Sequence, residues 1–272
     1  MTRLLATDLD GTLLQTGGTI SNRNIQALAR ARDEGLDVIF VTGRPPRWMS
    51  EIPEMTGHSG WALCANGALT LDLETHEIIH AELMDGDIGL EMARRLAELD
   101  PEMSFAVELA IPHNDFVIDA NYRPRWETKT PAKRMTIEEM FDTGKVVKLL
   151  ARPSTSLHGM SADAFLHAAE EVAEGLVDLT HSDINDLMIE CSRLGINKGS
   201  GLAALAQQRG HSSEHVAAIG DMPNDVPMVK WAGLGCAVAN AHDWVLDAAQ
   251  QVLPSNDDHG VAVLIDQILD NK

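Results

Sequence analysis

The sequence predicts an α/β fold, a doubly wound parallel sheet interrupted by an inserted α+β segment, and three observations carry that prediction. Short apolar runs alternate with stretches of helical periodicity towards both ends of the chain. Several of those runs end in polar residues, as strands do where a sheet presents its carboxyl edge to a ligand. Between about residues 69 and 187 the rhythm gives way to shorter strand-like pieces and two helices. Strands covered by helices on both faces read as continuous apolar runs, which is how the terminal segments read here.

The elements follow in order. Arg3-Leu4-Leu5-Ala6-Thr7-Asp8 is the first strand. Ser21 is placed to cap a helix carrying Ile25, Leu28 and Ala29 on one face, with Gly35 as its stop. Asp37-Val38-Ile39-Phe40-Val41 is a buried strand that ends in Thr42-Gly43-Arg44, and Trp61-Ala62-Leu63-Cys64 is another that ends in Ala65-Asn66-Gly67. Leu69 to Leu73 and Ile78 to Leu83 are strand-like, Ile88 to Leu99 is helical, and alternating pieces continue to Leu150. A second helix over Ala162 to Glu174 precedes Leu176 to Thr180. The strand and helix rhythm resumes at Leu187-Met188-Ile189-Glu190-Cys191, continues through a helix with Leu202, Leu205 and Ala206, and reaches Val216 to Ile219, which ends in Gly220-Asp221. Gly233 to Val238, a helix near Trp244, Gln251 to Leu253 and a final helix from Val261 to Leu269 complete the chain. This reading divides it into a core of residues 1–81 and 190–272 and an insert of residues 82–189.

A chain of 272 residues with 44% hydrophobic composition has material for two domains. No apolar run approaches the roughly 20 residues that span a bilayer, and the N-terminus lacks a signal-peptide pattern, so a soluble, cytoplasmic protein is expected. Cys64, Cys191 and Cys236 lie in or beside apolar runs without a Cys-x-x-Cys spacing, which favours buried reduced thiols over disulfides or zinc. With 21 basic against 41 acidic residues the formal net charge is −20, which disfavours nucleic acid and anionic membrane as partners. An anionic substrate must then be drawn in locally, by a bound cation and a few placed basic side chains. No motif in the chain sets an oligomeric state.

The chemistry gathers at the predicted strand exits. Asp8 and Asp10, two positions apart, would share one face of a continuing strand, and two like charges so close call for a hard divalent ion such as Mg²⁺. Gly11 permits the sharp turn that follows. Thr42, Lys198 at a helix start, and Asp221, Asn224 and Asp225 complete a set suited to phosphoryl transfer, whose catalysis is mostly positioning and charge neutralisation. Asp8 would attack phosphorus, and Asp10 would protonate the leaving oxygen and later deprotonate the hydrolytic water.

Asp8-Leu-Asp-Gly-Thr, Thr42-Gly-Arg, Gly195-Ile-Asn-Lys198-Gly and Gly220-Asp-Met-Pro-Asn-Asp225, in that order, resemble the four motifs of haloacid dehalogenase (HAD) superfamily phosphatases. Gly235-Cys-Ala-Val-Ala-Asn-Ala and Asn256-Asp-Asp-His-Gly-Val are similar to the Cof-type branch (subclass IIB), so the resemblance covers almost the whole chain. It implies a Rossmann-like core, an inserted α+β cap that governs substrate choice, and Mg²⁺-dependent hydrolysis of small phosphate monoesters such as sugar phosphates, nucleotides or cofactor phosphates. By matching position it implies Asp8 as nucleophile and Asp10 as acid and base. Thr42, Gly43, Lys198 and Asn224 would surround the phosphoryl group; Asp8, Asp10 (through its backbone carbonyl) and Asp221 would hold the metal; Asp225, Arg44 and Asn66 would support the cleft.

Rival readings of the same residues are weaker. Gly199-Ser-Gly201-Leu-Ala-Ala204 fits a dinucleotide-binding fingerprint, but Ser192 to Lys198 separates it from the preceding strand. His211 and His215 have helical spacing yet flank a loop and lack a third zinc ligand. A phosphomutase acting on a sugar phosphate would use the same aspartate pair; a non-catalytic phosphometabolite-binding protein would not need a nucleophile. In the insert, His113, Asn114, Asp115, Tyr122, Arg123, Arg125 and Trp126 form the densest polar and aromatic stretch, and Tyr122, Arg123 and Arg125 are candidates for reading the leaving group.

Overall fold

The computed structural model describes residues 2–111, 116–125, 132–154, 157 and 159–271. His113, Asn114, Asp115 and Trp126 lie outside the described residues. The chain divides into two compact units, residues 1–79 with 197–272, and residues 80–196. In chain order the strands are β1 (Leu4–Thr7), β2 (Asp37–Val41), β3 (Trp61–Cys64), β4 (Leu69–Asp72) and β5 (Ile78–Ala81), then β6 (Ser104–Leu109), β7 (Phe116–Ile118), β8 (Lys133–Arg134), β9 (Val146–Arg152), β10 (Val177–Thr180) and β11 (Ile189–Arg193), and finally β12 (Val216–Gly220), β13 (Leu234–Val238) and β14 (Gln251–Leu253).

The first unit is built on a sheet of order β14-β13-β12-β1-β2-β3-β4-β5. The strands from β14 to β3 are parallel neighbours, and β4 returns antiparallel to β3. Leu69 to Asp72, where the strand and helix rhythm of the sequence breaks, extends the first sheet. Leu4, Ala6, Ile39, Val41, Val216 and Ala218 form a core with Leu202, Leu205 and Ala206 of the helix Lys198–Gln208, which explains why these strands are apolar throughout. The helix Asn22–Asp33 begins as its sequence predicts: Ser21 Oγ accepts from Asn24 N at 3.1 Å, and Gly35 takes a φ of +72° after the helix ends.

The second unit holds a sheet of order β10-β11-β9-β6-β7-β8, with antiparallel pairing from β10 through β7. Here the sequence reading is corrected: β11 is not the resumption of the parallel rhythm at residue 190. It pairs antiparallel with β9 and β10, Cys191 opposite Leu149 and Leu179, so residues 190–196 belong to the second unit and the first resumes at Asn197. An apolar run buried on both faces has no periodicity that separates a parallel strand from an antiparallel one, and only the pairing decides. The helices Gly86–Leu99 and Ala162–Ala173 bury Met92, Leu96, Phe165, Leu166 and Ala169. All three cysteines are buried thiols outside any disulfide, and burial pushes the Cys236 thiol up to about 12 and the Cys191 thiol higher still.

Candidate active site

Strand order assembles the first unit's polar residues. Because β12, β1, β2 and β3 are parallel neighbours spaced about 4.8 Å apart, their carboxyl ends lie side by side. Those ends deliver Asp221, Asp8, Thr42 and Asn66 in that order. Asp8 N donates to Ile219 O at 3.1 Å, which carries the pairing of β1 with β12 one residue beyond the strand.

After Asp8 the chain does not continue as a strand. Leu9–Leu13 forms a π-helical turn closed by Leu14 N donating to Leu9 O at 2.8 Å, with Gly11 at φ +75°. The expectation that Asp8 and Asp10 share one strand face is corrected accordingly. Asp8 is 5% exposed, whereas the Asp10 side chain is 57% exposed. Asp8 Oδ1 accepts from Lys198 Nζ at 2.7 Å, while both Asp10 oxygens accept from the Arg44 guanidinium at 2.5 and 2.6 Å. The turn thus gives the two carboxylates different environments.

Gly11 is required on two counts. Its φ is left-handed, and a Cβ there would lie 2.3 Å from Asp221 Oδ2. Gly11→Ala is expected to cost about 1–3 kcal/mol in urea unfolding through backbone strain, and to lower phosphatase kcat/KM by displacing Asp221. Wild-type stability and turnover in this variant would contradict the assigned crowding.

Lys198 reaches the site because its helix starts there. Asn197 Oδ1 accepts from Gly199 N and Ser200 N at 3.1 and 3.0 Å, fixing the first turn. That turn packs on the Ala65–Gly67 loop so closely that a Cβ on Gly201 would sit 2.8 Å from Gly67 Cα, and one on Gly199 would be 2.6 Å from the Pro227 backbone. These glycines serve internal contact, which accounts for the pattern that resembles a dinucleotide fingerprint. His211 Nε2 stands 3.9 Å from Asp37 Oδ2, and His215 Nδ1 lies 2.9 Å from Ser212 Oγ; the two histidines belong to separate surface contacts.

Lys198 Nζ bridges Asp8 and Asp225, at 2.7 and 2.6 Å. The other Asp225 oxygen accepts from Asp221 N and Met222 N at 3.0 and 2.9 Å, shaping the loop that presents Asp221. Thr12 Oγ1 donates to Asp221 Oδ1 at 2.7 Å, and Asn224 Nδ2 donates to Asn66 Oδ1 at 3.1 Å. Asn66 is held by a turn in which Ala65, Asn66 and Gly67 all have positive φ. Thr42 is buried, and its Oγ1 accepts from Arg44 N at 3.1 Å. Gly43 lies between them in the same turn.

One ammonium faces three buried carboxylates, with Asp8, Asp221 and Asp225 each offering an oxygen within 4.8 Å of the others. Burial, with only partial relief from Lys198 and added repulsion from Asp225, Asp221 and Asp10, holds the Asp8 carboxyl well above its usual range. Asp221 is pushed up to about 7 by burial and then by Asp225. Burial alone would favour neutral Lys198, but Asp225 and Asp8 outweigh it and the amine is raised. A hard, oxygen-seeking divalent cation fits this excess of negative oxygen, and the buried Asn224 Oδ1 has no hydrogen-bond partner. Asp10 contributes its side chain to Arg44 rather than to that cluster.

Thr12 and Asn240 are functional supports for which the sequence reading made no assignment. Asn240 Nδ2 donates to Gly11 O at 2.8 Å, and its Oδ1 accepts from Asn256 N at 2.9 Å, tying the turn after Asp8 to the tail. Their signal was their place inside the motifs. In the second unit the candidates separate. Tyr122 is fully buried among Ala106, Phe116, Ile118 and Leu150, so it is a core residue and its reading as a leaving-group contact is corrected. Asp119 accepts from Tyr122 N and turns the aromatic ring inwards while the flanking Arg123 and Arg125 stay exposed.

The parallel sheet with Asp8, Lys198 and the acidic loop at its carboxyl edge is the architecture of a hydrolase family, and the chain belongs to the haloacid dehalogenase-like hydrolases, whose family pattern matches residues 5–265. It is a phosphoric monoester hydrolase of the Cof-type branch, acting on small phosphate substrates. Among its relatives, the 5-amino-6-(5-phospho-D-ribitylamino)uracil phosphatase YcsE of Bacillus subtilis (strain 168) is 30% identical, over 97% of this chain and 94% of that protein. The pyridoxal phosphate phosphatase YbhA of Escherichia coli (strain K12) is 29% identical, over 97% of each chain. A solved haloacid dehalogenase-like hydrolase from B. subtilis superposes with a TM-score of 0.79 at 25% identity, over 98% of this chain and 100% of that one. Among the described residues no helix is long and apolar enough to cross a membrane.

Proposed function

We propose that this chain is a Mg²⁺-dependent phosphatase that hydrolyses small phosphate monoesters through an aspartyl-phosphate on Asp8. The observation that carries the reading is the buried Lys198 bridge between Asp8 and Asp225 beside Asp221. Asp8 and Asp221, with the Asp10 backbone carbonyl, would hold Mg²⁺, which when bound neutralises charge on the phosphoryl oxygens.

Lys198 holds the Asp8 carboxylate in place for attack on phosphorus. As the new carboxylate–phosphorus bond forms, the ester P–O bond breaks and Asp10 gives its proton to the departing oxygen. Water then attacks the aspartyl-phosphate, Asp10 takes the proton, and inorganic phosphate leaves with Asp8 regenerated. Thr42, the Gly43 backbone, Lys198 and Asn224 surround the transferring group, and Arg44, which holds both Asp10 oxygens in this structure, must release one of them for Asp10 to carry its proton. Substrate selection belongs, in this proposal, to the 80–196 unit. Buried reduced thiols fit a cytoplasmic setting.

The test is release of inorganic phosphate from a panel of esters with Mg²⁺, ranked by kcat/KM. Two relatives are named for 5-amino-6-(5-phospho-D-ribitylamino)uracil and pyridoxal phosphate, and these head the panel beside sugar phosphates and nucleotides. Chelation is expected to abolish release; undiminished release in chelator would remove Mg²⁺ from the scheme. Formation of an isomer in place of free phosphate would mark a mutase.

A pH dependence follows from the raised carboxyls. A carboxyl whose folded pKa exceeds its unfolded value stabilises the fold below the unfolded pKa, near 4, and that contribution is lost as pH rises through the folded pKa. For Asp221 the contribution falls away progressively from about pH 4 and is gone just above its folded pKa of about 7. Metal-free protein is therefore expected to lose stability between pH 6 and pH 8, and Mg²⁺ to raise the Tm more at pH 8 than at pH 6. Equal shifts at both values in differential scanning fluorimetry would contradict this.

A further inference from the structure

The second unit contains a pocket of about 740 Å³ at the edge of its sheet, where β9 ends and the loop into β11 begins. All its lining residues belong to the second unit, and three of them are arginines. Arg152 is fixed: its Nη1 donates to Arg123 O at 2.9 Å, its Nη2 to Asp186 Oδ2 at 2.6 Å, and its guanidinium lies 5.1 Å from the centre of the Tyr122 ring. Arg125 shares the same buried Asp186, at 3.2 Å, while its side chain is 59% exposed. Arg123 is exposed and, among the described residues, donates to the Ala120 and Tyr122 carbonyls, at 2.9 and 3.0 Å, and reaches no carboxylate. Three guanidinium groups line the pocket against two carboxylates, Asp186 and Glu102, which leaves a positive excess in a chain of net charge −20. Met160 and Ile184 line the same pocket with exposed apolar side chains.

We propose that this pocket is a binding site for a small organic anion, a phosphate or carboxylate head joined to an apolar ring or chain. Arg123 and Arg125 take the head group, the buried Arg152–Asp186 pair holds Arg125 in place, and Met160 and Ile184 cover the apolar portion. The fixed pair limits the ordering cost of binding. Arg123 and Arg125 are also the sequence's leaving-group candidates, but the proposal rests on the pocket itself and stands whether or not Asp8 carries out phosphoryl transfer.

The test is isothermal titration calorimetry of the full chain, stripped of divalent metal, with phenylphosphonate and with benzoate. Arg123→Ala and Arg125→Ala are compared with Arg94→Ala, which removes an exposed arginine outside the pocket. Saturable binding of either probe to the wild type and Arg94→Ala, weakened at least about tenfold in one or both pocket variants, is the expected result, since each loses a charge-assisted contact. Tighter phenylphosphonate identifies a phosphorylated ligand and tighter benzoate a carboxylic acid; either supports the site. Absence of saturable heat with both probes, or affinity unchanged in both pocket variants, overturns it.

Discussion

Asp8→Asn is expected to abolish phosphate release, lowering kcat by at least about 10⁴-fold, the scale on which enzymes lose rate when a nucleophile is removed. The substitution keeps the volume and can still accept from Lys198 Nζ, but an amide oxygen does not form the acyl phosphate. Stability should be retained, because Asp8 is a carboxyl whose ionisation burial opposes and whose charge Asp221 and Asp225 repel. Lys198 keeps its 2.6 Å contact with Asp225. Two readouts check the claim together: single-turnover phosphate release, and metal-free thermal unfolding at pH 8. Full activity in the variant would refute covalent catalysis by Asp8, while an inactive variant that no longer folds would leave its loss of activity explained by structure instead.

Lys198→Ala is the second large effect, and it differs in kind because it damages the fold as well as the chemistry. Lys198 is 1% exposed and is the ammonium that faces Asp8 and Asp225. Its removal leaves a buried carboxylate cluster without that cation, and loss of one partner from a buried pair costs about 3–5 kcal/mol. The sign with pH is set by the carboxyls. Deprived of the lysine, their folded pKa values rise further, so the variant is least impaired in acid and progressively worse as pH rises through them. Urea unfolding at pH 5.5 and pH 8 should show a larger deficit at pH 8, partly restored by Mg²⁺. A deficit independent of pH would mean that packing of the lysine stem, rather than its charge, holds this region together. Turnover should fall severely even where Mg²⁺ restores the fold, since Asp8 is then no longer held for attack.

Much of the candidate site was legible because it lies in contiguous motifs at strand exits. Asp8, Thr42, Lys198 and Asp221 each follow or precede an apolar run whose end is marked by a change to polar residues, and parallel pairing makes those ends adjacent. What was not legible concerns direction. Asp10 was expected beside Asp8, but a π-helical turn around Gly11 sends one carboxylate inwards and the other towards Arg44. Tyr122 was expected at a surface among polar neighbours, and a single carboxylate, Asp119, turns its backbone so that the ring joins the core. The run Leu187 to Cys191 was expected to resume the first sheet's rhythm, and the strand there, Ile189–Arg193, pairs in the second.

The sequence by itself determined the class of fold and the order of the chemical groups along the chain, because apolar periodicity and local motifs are properties of neighbouring residues. Only the tertiary structure decided which carboxylate is buried, which oxygen Lys198 holds and where three arginines of the second unit meet. Those outcomes depend on desolvation and on contacts between residues far apart in the chain, such as Asp8 with Lys198 and Arg152 with Asp186, and no local pattern encodes them.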